Sequence, residues 1–372
     1  MTESQIVEFK ESWRDEYLKH ICAFSNTEGG TLFIGIKDNG EVVRVKKVKK
    51  LLEDIPNKVV QVLGVTVSAQ VKTKDYYETI EISVPASSVP ISLYGKFYVR
   101  SGSTVQELKG HELRDFILRK DNITWDEIIV PGATLDDLDK EAIIKFAAKA
   151  ANANRLPYEV ASDKAEVILR NLDLINEKDE LTRAAVLLFR KRSGQYIRTA
   201  IVKIGRFGES DADLISHDVI EGNLFEQVDN IMDILRIKYL HSIISYEGLY
   251  RKETLEYPED ALREAILNAI VHRDYGDQSD ITIKVFNNRI VIWNSGTLIA
   301  PLNIEKLMET HPSKRRNSLV ANAFFRTGQI EAWGRGIKLM INECKIAKLP
   351  NPTIEEHIGG ILVTFFVNAT PT

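Results

Sequence analysis

The stretch from Pro258 to Tyr275 reads PEDALREAILNAIVHRDY, and within it Glu264, Asn268 and His272 recur every four residues. Proline at a first turn followed by Glu259 and Asp260 marks a helix start, because proline lacks only a hydrogen that would be unbonded there and the acids face the positive end of the helix dipole. At 3.6 residues per turn the three polar side chains share one face, which on a lone amphipathic helix would look to solvent. The residues beyond Tyr275 argue for a site instead. Ile281 to Phe286 and Arg289 to Trp293 read as a hairpin through Asn287-Asn288. The second strand runs into Asn294-Ser295-Gly296, and later Gly334-Arg335-Gly336 opens another helix.

A chain of 372 residues exceeds one ordinary core, and 44% hydrophobic with 27% charged residues is the composition of folded domains. The two cysteines, Cys22 and Cys344, have neither metal-ligand spacing nor a disulfide framework, which fits a reducing compartment. MTESQIVEFKES lacks the basic start and apolar run of a signal peptide, and nowhere do eighteen apolar residues follow one another. The expectation is a cytoplasmic protein with no membrane partner. A net charge of -4 gives no global basic field, so a nucleic-acid partner needs a local patch. Arg44-Val45-Lys46-Lys47-Val48-Lys49-Lys50 offers five cations in seven residues, either a solvated run or a phosphate-binding surface.

The expected fold class is α+β multidomain: an α+β domain over 1–120, a helical and mixed middle region over 121–250, and a C-terminal α/β sandwich over 251–372. In the first, a helix over 11–24 feeds a strand at Gly30 to Ile36. Asp38-Asn39-Gly40 then turns the chain so that Glu41 to Val45 returns as its partner. Leu51 to Leu63 reads as a helix, Val65 to Val71, Tyr76 to Val84 and Lys96 to Arg100 as strands, and His111 to Arg119 as a closing helix. In the middle region, Leu135 to Ala153 and Lys164 to Leu172 read as helices, Ala184 to Arg190 and Ile197 to Phe207 as strands. Leu224, Val228, Ile231 and Leu235 mark an amphipathic helix.

Glu-x-x-x-Asn on a helix, a strand-terminal glycine turn and a Gly-x-Gly before a helix together resemble the GHKL (Bergerat) ATP-binding fold of gyrase and histidine kinases, over about 255–368. The resemblance implies ATP and magnesium as cofactors. Glu264 would be the general base of a weak ATPase and Asn268 the magnesium ligand. Gly334 and Gly336 would line the phosphate lid, His272, Asn294 and Gly296 the nucleotide site, and Thr364 would sit near the adenine. Ala-Leu-Arg-Glu, Asn-Ala and His-Arg-Asp-Tyr are closer to a bacterial branch labelled helicase-like or transcriptional regulator, where Arg315, Arg316 and Asn317 match a basic lid motif. Two positions depart from the family: Asn294 takes the place of its adenine-binding Asp, and Leu298 that of a second glycine. An Asn carbonyl still accepts a hydrogen bond, as a neutral acceptor.

Glu3-Ser4-Gln5-Ile6-Val7-Glu8-Phe9-Lys10, then Ala23-Phe24-Ser25-Asn26-Thr27-Glu28-Gly29-Gly30, and later Tyr98-Val99-Arg100-Ser101-Gly102-Ser103, resemble the Schlafen, AlbA-like domain over about 1–120. In bacteria that domain is described as a DNA-binding module. The resemblance implies nucleic acid, DNA ahead of RNA, as partner, with Arg44, Lys46, Lys47, Lys49, Lys50 and Arg100 in contact and Arg114, Arg119 and Lys120 in support. Some Schlafen relatives cut RNA with three carboxylates, matched here by Glu3, Glu8 and Asp38. Three oxygen ligands can hold divalent ions for phosphoryl displacement, and Lys10 can neutralise phosphate. As plain chemistry, Glu8 and Lys10 also make an ordinary ion pair, and Asp38 an ordinary turn residue.

Three functions are therefore open: a nucleic-acid-binding transcriptional regulator biased by ATP, a metal-dependent nuclease, and an assembly protein with an inert GHKL domain. A homo-oligomer is compatible with each. A P-loop helicase is excluded, because no GxxxxGK[ST] occurs.

Overall fold

The computed structural model describes residues 2–74, 76–191, 196–299, 302–307, 314–331 and 334–368. The chain forms two compact units, Met1–Ile123 and Thr124–Thr372.

In the first unit β1 (Val7–Lys10) leads to α1 (Leu18–Asn26), β2 (Gly30–Ile34), α2 (Val48–Leu63), β3 (Ser68–Lys74) and β4 (Tyr77–Val84). The four strands make one sheet in the order β1-β2-β4-β3, with β1 and β2 parallel and the other pairs antiparallel. A strand alternates its side chains between faces, so Ile80, Ile82 and Val84 of β4 all turn inward and meet Ile55 and Val59 of α2 and Leu18, Ile21 and Phe24 of α1. A smaller sheet comes next, β5 (Ser92–Leu93), β6 (Lys96–Ser101) and β7 (Thr104–Leu108), then α3 (Gly110–Lys120). Asn26 fastens α1 to that sheet. Its amide nitrogen donates to the carbonyls of Ile91 and Tyr98, both at 2.8 Å, and its oxygen accepts from Ile91 N at 2.8 Å.

The hairpin expected at Asp38-Asn39-Gly40 is reduced to its turn. Gly40 N bonds Lys37 O at 2.8 Å, yet Ile36 and Val42 form a lone bridge and Glu41 to Val45 is no strand. A strand has two edges, and both edges of β2 are taken, by β1 and β4. The first helix starts at Leu18, after a single turn at Asp15–Tyr17, and leaves Trp13 outside it.

In the second unit α4 (Lys140–Asn152), α5 (Tyr158–Ala161), α6 (Ala165–Asn171) and α7 (Arg183–Phe189) precede β8 (Val202–Phe207), β9 (Leu214–Ile220) and α8 (Leu224–Ile234). A separate hairpin, β10 (Ser242–Glu247) and β11 (Tyr250–Leu255), leads into α9 (Glu259–His272), β12 (Ile281–Val285) and β13 (Arg289–Ser295). The chain ends with α10 (Ile304–Leu307), α11 (Ser318–Arg326), α12 (Gly336–Ile346), β14 (Thr353–His357) and β15 (Gly360–Phe366). Six strands form one sheet in the order β14-β15-β13-β12-β8-β9, so the middle region supplies two strands to the same sheet as the C-terminal segment. The boundary expected at 250 therefore falls inside a hairpin of a single compact unit.

Ala184 to Arg190, expected as a strand, is the helix α7. Thr182 caps it, its hydroxyl accepting from Ala185 N at 3.2 Å, and every residue from Ala184 to Phe189 is buried. An apolar run wrapped on all sides has no periodicity from which to choose between helix and strand. Leu135 to Ala153 also breaks, because Asp139 accepts from Glu141 N and Ala142 N and so restarts the chain as α4. No described helix is long and apolar enough to cross a membrane.

Candidate nucleotide cavity and candidate nucleic-acid surface

A cavity of about 470 Å³ opens between α9, the end of β13 and the start of α12. Helix α9 is enclosed by apolar packing through Ala261, Leu262, Ala265, Ile266, Ala269 and Ile270. Its polar side chains Glu264, Asn268 and His272 are half-buried and line the cavity, so the polar face is not a solvent face. The Asn268 amide donates to Glu264 Oε1 at 3.1 Å. Burial raises the Glu264 pKa, against smaller opposing effects of that hydrogen bond and of Arg263. Gly336, first residue of α12, lies so close to Glu264 that a side chain there would overlap the carboxylate.

The other walls come from loops. Asn294, next to last in β13, donates from its amide nitrogen to the Ser295 carbonyl at 3.0 Å. Gly296 stands just beyond at φ +104, a left-handed conformation that suits glycine, and bonds Gly359 O at 3.0 Å. Leu298 lines the cavity while its N–H donates to Glu356 Oε1 at 3.0 Å. Lys314, Arg315 and Arg316 bring three successive cations to the cavity, and Arg335 adds a fourth. Arg316 is steadied by the Thr297 carbonyl at 2.9 Å and by Asp274 at 3.6 Å. Asn317 is fully buried and donates to Val271 O and Arg273 O, both at 2.9 Å, closing the end of α9.

Apolar walls with a cluster of cations at one side suit a flat base carrying phosphates. No cluster of three His, Cys, Asp or Glu that could hold a metal occurs among the described residues. Magnesium would be held on different terms, by one amide oxygen, phosphate oxygens and water, and Asn268 is the cavity residue that would supply that oxygen. Thr364 is not part of the lining. It pairs with Val291 and Thr353, whereas its neighbour Val363 pairs with Ile292 and Ile354 on the cavity face, so Thr364 points to the other side of the sheet.

In the first unit the three carboxylates are organised around a lysine. Lys10 Nζ lies 2.5 Å from Glu8 and 3.6 Å from Glu3, and Asp38 acts on it electrostatically. Burial opposes the Lys10 charge, but the three acids hold its pKa above the usual value. Arg100 meets the second Glu8 oxygen at 2.6 Å, and His20 Nδ1 lies 3.3 Å from the first. Burial pushes the Glu8 carboxyl up, yet the neighbouring His20, Lys10 and Arg100 prevail and bring it down to about 2. The acids pair with Lys10, and no three acid, His or Cys side chains placed to hold a metal occur among the described residues, so Glu3, Glu8 and Asp38 are not gathered as the expected metal site. Arg100 is 4% exposed and is no surface contact for nucleic acid: it donates to Glu8 and Ser4 O and lies over the Phe24 ring. Lys120 is engaged as well, donating to Ser87 O at 2.5 Å, and Arg114 is paired with Asp115.

The run from Arg44 to Lys50 is different. Val42, Val45 and Val48 are buried at three-residue intervals, which anchors the segment and leaves Arg44, Lys46, Lys47, Lys49 and Lys50 exposed at the start of α2. Residues 3–109 match the family model described as "Schlafen, AlbA_2", and residues 278–365 match HATPase_c_4, described as "Putative ATP-dependent DNA helicase recG C-terminal". The chain joins a Schlafen-like N-terminal domain to a HATPase-like C-terminal domain.

The HATPase match starts beyond α9, so Glu264, Asn268 and His272 rest on the geometry alone. A solved structure of the DIP2311 protein from Corynebacterium diphtheriae is similar over 98% of this chain and 75% of its own, at 22% identity and a TM-score of 0.55, a likeness of fold. The "N-terminal Domain of Putative ATP-dependent DNA Helicase RecG-related Protein" from Nitrosomonas europaea covers 30% of this chain and 87% of its own at 23% identity, with a TM-score of 0.22. No curated protein matches. Around the HATPase-type cavity, sequence reasoning missed Lys314, Glu331 and Arg335. Lys314-Arg315-Arg316 directly before a helix was the available signal for the first, and the Gly334-Arg335-Gly336 turn for the last, where Arg335 is the N-cap of α12; Glu331 carried no signal.

Proposed function

We propose that the protein is a nucleic-acid-binding regulator, acting on DNA and in transcription, whose HATPase-type domain binds ATP with magnesium. The observation that carries this reading is the convergence of Glu264, Asn268, Gly336 and the cations 314–316 on one cavity. The apolar walls take the base, with Asn294 as a polar partner at its edge, and the cations take the phosphates. Asn268 holds magnesium, which neutralises phosphate charge when bound. Glu264, with its raised pKa, can accept a proton from an attacking water, which allows slow hydrolysis. The exposed cations from Arg44 to Lys50 supply the phosphate-backbone contact. No strand-separating activity is proposed.

The test is thermal unfolding of the wild type and of Asn268→Ala with and without magnesium and ATP. A stabilisation in the wild type that Asn268→Ala removes supports the reading. No shift at millimolar ATP would refute it.

A further inference from the structure

The helix after the cavity cations borrows its cap from a distant part of the chain. Asn317 stands at the N-cap of α11, but its side chain is spent on Val271 O and Arg273 O of the α9 end and makes no bond to its own helix. The α11 N-terminus is served instead by Asp126, 0% exposed, whose Oδ2 accepts from Val320 N at 2.8 Å. Around it Thr124 Oγ1 donates to Asp126 Oδ1 at 2.5 Å, and Ser318 Oγ lies 2.5 Å from Glu127 and 2.7 Å from Thr124. These contacts span more than 190 residues of sequence, and Thr124 directly follows Ile123, the last residue of the first unit.

We propose that Asp126 is a positioning residue for phosphate recognition: by capping α11 it sets Lys314, Arg315 and Arg316 against the cavity, and so ties the chain leaving the first unit to the nucleotide's phosphates. The inference rests on the nucleotide reading above. A capping carboxylate fixes where a helix begins, and the three cations lie within four residues of that start. Asp126 does not line the cavity and acts through the cations that do, so its effect belongs to the phosphates and not to the base.

The experiment compares ATP with adenosine by calorimetric titration of the full chain in the wild type, Asp126→Ala, Asp126→Asn and Ser318→Ala. Asp126→Ala is expected to weaken ATP about tenfold and leave adenosine unchanged. Asp126→Asn keeps an oxygen for Val320 N and restores ATP affinity. Ser318→Ala, a milder cut at the same junction, lowers ATP affinity in the same direction and serves where Asp126→Ala does not fold. Equal loss for ATP and adenosine, or no loss in either cutting variant, overturns the positioning role. A wild type that binds no ATP removes the nucleotide reading itself, and the inference with it, before any variant is compared.

Discussion

Glu8 and Asp126 are both buried carboxyls, and their surroundings drive them in opposite directions. Glu8, surrounded by Lys10, Arg100 and His20, is held at about 2. A folded pKa below the unfolded value contributes stability above pH 4.5 that is lost as the pH falls toward 2, worth about 3 kcal/mol. The melting temperature of the first unit should therefore drop between about pH 5 and pH 2, and Glu8→Gln should flatten that drop, as followed by circular dichroism. Arg100→Ala leaves Glu8 buried with one cation fewer and should cost about 3–5 kcal/mol in urea denaturation. Asp126 is raised to about 6 by burial, opposed by Thr124 and Val320 N. A raised carboxyl favours folding fully below pH 3.8 and loses that contribution as the pH rises through 6. Asp126→Asn should accordingly gain about 2–3 kcal/mol over the wild type at about pH 8 and nothing at about pH 3.5. The identity of Glu8 as a notable residue was legible in the sequence. Its pair with Lys10 was legible too, but not its pair with Arg100, which lies 92 positions away and is brought to it only by the β1 to β6 geometry.

At the scale of elements, the readable parts were those whose periodicity survives burial on one side. Helix α2 buries Val48, Ile55, Val59 and Leu63 at helical spacing, and β4 alternates, so both were legible. Helix α7, buried on every side, was not, and its one signal was the Thr182 cap. Thr182→Ala should cost about 1 kcal/mol by urea denaturation. The cationic run was legible as charge, and its exposure follows from the buried valines at 42, 45 and 48. Combining Lys46→Gln, Lys49→Gln and Lys50→Gln should weaken DNA binding and lower the slope of log affinity against log salt by about 0.9 for each phosphate that is no longer neutralised. An unchanged slope would place the interface elsewhere.

For the molecule as a whole, two family resemblances were legible from short ordered motifs. The partition between them was not, because strand pairing is long-range: β8 pairs in parallel with β12 across some eighty residues, which folds the middle region into the HATPase-type sheet. The same long-range logic builds the cavity, whose walls run from Glu264 to Val363. The proposed regulation depends on a nucleotide occupying that cavity. Hydrogen–deuterium exchange of the full chain with and without magnesium and ATP tests it most directly, since it reports where protection appears. Slowed exchange is expected at Glu264 to His272, at Asn294 to Leu298, at Arg315 to Val320 and at Gly336 to Met340. Exchange that is unchanged there, or protection confined to other segments, would contradict it.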